Sequence, residues 1–75
     1  MNKQEQLLQV MRAKVAGLSL AQLIEAFELT NSQDGDEIPT VRGVLMDELE
    51  SRDGAVFEAW LDSAAVSPRS FYLAA

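Results

Sequence analysis

The 75-residue sequence contains no cysteine and no histidine. The first absence removes disulfides and thiolate chemistry, and the second removes the usual proton shuttle and the commonest metal ligand. No apolar run approaches the ~20 residues that span a bilayer. The polar opening Met1-Asn2-Lys3-Gln4-Glu5-Gln6 leads into no hydrophobic core of a signal peptide. A cytoplasmic protein without membrane association is expected. Basic residues are scarce: six face twelve acidic ones, for a formal charge of −6. Eleven of the carboxylates fall between Glu25 and Asp62, where Arg42 and Arg52 are the only bases. Such a surface repels phosphate backbones, which bind through Lys and Arg displacing counterions. Direct nucleic-acid binding is therefore disfavoured, and the plain consequence of the acidity is solubility.

What is present describes a folded module. With 48% hydrophobic and 24% charged residues, the composition is that of a single soluble domain and not of a disordered chain. A chain this short buries a modest core. Without disulfide or metal, its stability has to come from well-packed helices or from self-association, so a dimer is open.

The hydrophobic spacing predicts an all-α domain of four helices, at about 3–16, 20–29, 39–52 and 54–65, with a loop at 30–37 and a C-terminal tail at 67–75. In the first helix Leu7, Leu8, Met11 and Val15 form one stripe of period 3.6, and Gly17 stands where a left-handed C-cap residue belongs. Ser19 and Gln22 make a capping box for the second helix, with Leu18 and Leu23 placed as a hydrophobic staple. Leu20, Leu23, Ile24 and Phe27 form its inner face. The stretch "TNSQDGDE" is a polar loop. Val41, Val44, Leu45 and Leu49 form the inner face of the third helix, widened by Met46, and Glu48 is placed to pair with Arg52 at i, i+4. Gly43 inside that helix suggests close approach of another backbone, or else a surface glycine. Asp53 is a good N-cap for a fourth helix, whose Val56, Phe57, Trp60, Leu61 and Ala64 form one face. Ser67-Pro68 can cap one more short turn, and Phe71, Tyr72 and Leu73 are too bulky to be left in water.

Chemistry is weakly signalled. A calcium loop centred on Gly35 fails, because Val41 stands where its last acidic ligand is needed. The pairs Asp34/Asp36 and Asp47/Glu50 read as solvated carboxylates. Without His, Cys or a glycine-rich phosphate loop, no catalytic, metal or cofactor site is assigned, and the chain is expected to be no enzyme.

The order of features from "AGLSLAQLIEAFELT" to "IPTVRGVLMDELESR" resembles the core of a helix-turn-helix domain. That resemblance implies DNA contact through the start of the third helix, by Thr40, Arg42 and Gly43. The connection is twice the usual length, and Asp47, Glu48 and Glu50 lie on the would-be recognition helix. A second resemblance rests on Val41-Arg42-Gly43, Met46-Asp47-Glu48-Leu49-Glu50, Phe57-Glu58-Ala59-Trp60 and Ser67-Pro68-Arg69. With these the chain resembles small uncharacterised proteins of Gram-positive plasmids, phages and conjugative elements. It implies a setting and no activity.

Two functions are left. One is a non-enzymatic acidic module that binds a protein partner or a second copy, with Arg42, Trp60, Phe71 and Tyr72 as candidate contacts. The alternative is nucleic-acid related. It is either a helix-turn-helix-like regulator or an acidic decoy that occupies a DNA-binding protein's basic groove.

Overall fold

The computed structural model describes residues 3–73, so Ala74 and Ala75 of the expected tail lie outside the described residues. Among the described residues there are five helices and no strand: α1 Lys3–Ala16, α2 Leu20–Thr30, α3 Ile38–Arg52, α4 Gly54–Ser63 and a single turn, α5 Arg69–Tyr72. The fold is a small all-α bundle in which α3 is the central element, packed on by α1, α2 and α4, while α5 lies against α4.

Local chemistry explains where the helices start and stop. The Ser19 hydroxyl accepts from the Gln22 backbone N–H at 3.1 Å, and the Gln22 side chain accepts from the Ser19 N–H at 3.0 Å. This reciprocal box sets the first turn of α2. Leu18 packs against the core cluster that contains Leu23. Pro39 sits in the first turn of α3, where its missing N–H costs nothing. Asp53 caps α4 by accepting from the Val56 N–H at 3.2 Å. The chain then leaves α4 through Ala64, a left-handed residue at φ 59°. Ser63 Oγ donates to the Trp60 carbonyl at 2.6 Å and accepts from the Ala65 N–H.

Two local expectations are corrected and one left open is decided. Gly17 has no positive φ; among the described residues only Ala64 and Gly35 do, so α1 is not closed by a left-handed glycine. Its end is closed by the Gly17 and Leu18 N–H groups, with Arg52 as an added donor, as described below. Helix α4 ends at Ser63 and not at 65, and both Leu61 and Ala64 are exposed. Gly43 has nothing within 4 Å of where a Cβ would sit, so no backbone approaches it and it is a surface glycine.

The core is formed by Leu23, Ile24 and Phe27 of α2, Leu45 and Leu49 of α3, and Phe57 and Trp60 of α4. Trp60 meets Phe27 edge to face at 5.2 Å and Phe57 at 5.7 Å between centroids, a geometry that adds to the area these rings bury. Helix α1 supplies no buried residue: Leu8, Met11 and Val15 are half-buried and Leu7 is exposed. The expected stripe is therefore only partly covered. The molecule measures 40 × 24 × 20 Å with a radius of gyration of 12.6 Å, against about 11 Å for a compact chain of this length.

Because the space around Gly43 is open, Gly43→Ala replaces a flexible residue by the best helix former without a clash. It is expected to raise stability by about 1 kcal/mol, read from urea unfolding monitored by circular dichroism.

Candidate functional site

All four arginines are bonded inside the chain. Arg52, on the last turn of α3, donates through Nε to Glu48 at 2.8 Å and through Nη2 to the Leu18 and Val15 carbonyls at 2.7 and 3.2 Å. The expected i, i+4 pair is present. The end of α1 is closed by the Gly17 and Leu18 N–H groups, which donate to the Lys14 and Val15 carbonyls, and the same guanidinium adds a second donor to Val15 and places a cation at the negative end of the helix dipole. Arg42 reaches the end of α2 and bonds side chains there, not carbonyls. It donates to Thr30 Oγ1 at 2.7 Å and Asn31 Oδ1 at 2.8 Å, and its guanidinium carbon lies 4.5 Å from the Phe27 ring centroid. Thr30 in turn donates to the Phe27 carbonyl at 2.6 Å. Arg69 makes a two-pronged pair with Glu28, through Nε at 3.0 Å and Nη2 at 2.6 Å. Arg12 reaches Asp47 at 3.0 Å across an exposed flank.

These bonds place the residues singled out from the sequence. Trp60 is buried and donates its indole N–H to the Ala65 carbonyl at 2.9 Å. Phe71 and Tyr72 are half-buried against the core cluster, and the Tyr72 hydroxyl donates to the Leu49 carbonyl at 2.7 Å. Its pKa is raised, first by burial and then by the charges of Asp53 and Glu50. The tail thus docks on its own domain. Arg42, Trp60, Phe71 and Tyr72 are each engaged in internal packing or bonding, not presented as a shared contact surface. Of the three DNA-contact candidates, Thr40 and Gly43 are exposed while Arg42 is turned to α2. The open side of α3 continues through Asp47 and Glu50, which puts acidic groups next to the positions where phosphate would lie.

The residues behind the second resemblance are largely structural too. Arg42, Leu49, Phe57 and Trp60 belong to the core and its clamp, and Ser67-Pro68-Arg69 anchors the tail. Pro68 is fully buried, and the Ser67 hydroxyl donates to Glu28 at 2.7 Å.

Among the described residues, exposed large apolar side chains stand at Leu61 and Val66 near the end of α4 and, grouped around a groove, on α1 and α2. Each packs on α3, and between them runs a groove of about 470 Å³ with Met11, Lys14 and Leu18 on one wall, Leu29 and Gln33 on the other, and Leu45 in its floor. It runs on past Met11 and Val41 into a depression of about 310 Å³ that adds Leu7, Asp36 and Glu37. Leu7, Val10 and Leu29 are 62%, 52% and 56% exposed, three of the five large apolar side chains left in water. Sequence reasoning missed Val10 and Leu29, because neither lies on its helix's main stripe. A signal existed: at 100° per residue, Val10, Leu7, Met11, Val15 and Leu8 cover an arc of about 160° on α1, wider than one neighbour covers.

No protein-family model, curated protein sequence or solved structure matches the chain.

Two predictions follow from the polar clamps. The Glu28 carboxyl is lowered from its ordinary 4.5 to about 2, first by the bond from Arg69 and then by that from Ser67. The folded state therefore keeps this carboxylate charged where the unfolded chain protonates it. Its stabilisation is complete above about pH 4.5 and is lost as pH falls from there toward 2. An acid titration of Glu28→Gln is expected to show a shallower loss of stability across that window than the wild type. Arg52→Ala removes the bonds to Glu48 and to the Val15 and Leu18 carbonyls and is expected to cost about 2 kcal/mol, measured by thermal and urea unfolding.

Proposed function

We propose that the chain is a non-enzymatic helix-docking module whose groove between α1 and α2, floored by α3, takes an apolar helical segment of a protein. The observation that carries this reading is the open groove itself, with Leu29 and Leu7 exposed on its rim. Helix-in-groove recognition uses apolar anchors at i, i+3 or i+4 and i+7 laid between two helices. The α1 wall from Leu7 to Val15 rises about 12 Å at 1.5 Å per residue, enough for about two turns of a bound helix.

Two observations weigh against other functions. The side chains with displaced pKa are Glu28, Arg69 and Tyr72, and each is explained by a bond or by burial that holds the tail in place. A catalytic group would be poised toward a cleft. Four of the six bases are bonded internally, which leaves Lys3 and Lys14 on α1 to meet phosphate. Duplex DNA at about 50 mM salt is accordingly expected to show no retardation by the protein. The resemblance to small proteins of mobile elements supports a setting for the module without naming its partner. No described helix is long and apolar enough to cross a membrane.

Leu29→Glu tests the reading. The side chain is exposed, so the fold is expected to keep its thermal midpoint within a few degrees, while a charge in the groove excludes an apolar helix. Affinity capture from the native host with wild type and variant side by side is expected to return a protein that the variant loses. Identical capture by both would remove the groove from the function.

A further inference from the structure

We infer that the helix taken by the groove is α1 of a second copy, giving a reversible two-fold dimer; this rests on the docking reading above. The first argument is the placement of knob and hole. Lys3, Leu7, Val10 and Lys14 follow one another at i, i+4, i+7 and i+11 and form an exposed ridge on α1. The groove wall on the same helix shares Leu7 and Lys14 with that ridge and continues through Met11. Ridge and groove side by side on one helix are self-complementary. A two-fold axis beside Val10 and Met11 lets each copy's ridge enter the other's groove at once, which closes the pair and leaves no free end for a filament.

The second argument is charge. Helix α1 carries Lys3, Arg12 and Lys14 against Glu5, whereas the rest of the chain holds eleven acids and three arginines. Those three arginines are bonded internally. The Lys14, Asp36 and Glu37 side chains have no partner within their own copy among the described residues. With the two α1 helices antiparallel about that axis, Lys14 lies over the second copy's Leu7. That leucine shares its depression with Asp36 and Glu37. Each copy thereby supplies a cation to the other's acidic rim, and the dimer satisfies the pair twice.

The third argument is area. The large apolar side chains that the pair covers are Leu7, Val10 and Leu29 of each copy, a patch that suits a small, weak interface and not an obligate one. The dimer is therefore expected to form in the micromolar range and not to be needed for folding.

Sedimentation equilibrium on the full chain from about 5 µM to 1 mM tests the assignment. The wild type is expected to rise from 8.2 kDa toward twice that mass. Val10→Glu and Leu29→Glu are expected to stay at the monomer mass throughout, with unchanged far-UV circular dichroism. Lys14→Glu is expected to weaken association about tenfold, by replacing two rim pairs with repulsion, and combining it with Asp36→Lys and Glu37→Lys to restore it. A wild type that stays monomeric at 1 mM overturns the dimer, as does dimerisation unaffected by Val10→Glu and Leu29→Glu. If such a monomer still captures a host protein that Leu29→Glu loses, the groove reading stands with a different occupant. If that capture also fails, both readings fall.

Discussion

Arg52 joins two helix ends with one side chain, and the arrangement of the bundle depends on bonds of this kind. Its guanidinium leaves the last turn of α3, pairs with Glu48 and donates to carbonyls where α1 runs out. Eight hydrophobic side chains and Pro68 are buried in the described residues, a core too small to set the angle of every helix by packing alone. Polar bonds to helix ends do that work here. Arg42 bonds side chains at the end of α2, Arg52 bonds carbonyls where α1 ends, and Arg69 with Ser67 ties the tail to Glu28.

This use of arginine has a functional consequence. A chain with six bases and twelve acids has little positive charge to offer a nucleic acid, and four of the six are already bonded to its own atoms. The acids are less engaged. Glu28, Asp47, Glu48 and Asp53 have internal partners, while Glu25, Glu50, Glu58 and Asp62 stand exposed on three helices and Asp34, Asp36 and Glu37 on the loop. The surface is acidic because acids outnumber bases two to one. The one region where this pattern reverses is α1, which also carries the exposed Leu7 and Val10.

Much of the local structure was legible in the sequence. The Ser19 box, the Asp53 cap and the Glu48–Arg52 pair are contacts between residues three or four apart, and such contacts depend on helix geometry alone. The inner faces of α2 and α3 followed from the 3.6-residue period. Less legible was anything that needed a distant partner. Gly17 invited a left-handed cap, but α1 ends without one, and Arg52, more than thirty residues away, adds a donor there. Leu61 and Ala64 kept the right spacing on α4, yet the chain turned at Ala64 before any neighbour covered them. Arg42, Trp60, Phe71 and Tyr72 attracted attention as chemically capable side chains. Capability did not say whether the domain itself would use them.

By itself the sequence determined that the chain is helical, where most helices begin, and that neither thiol nor imidazole chemistry is available to it. Those properties reside in residue types and in spacings of a few positions. Only the tertiary structure decided which apolar residues stay uncovered and which charges stay unpaired. Both depend on how α1 settles on α3, beside α2 and without closing over it. A periodic stripe says that a side chain wants a neighbour. Whether one arrives is a matter of the whole chain's geometry.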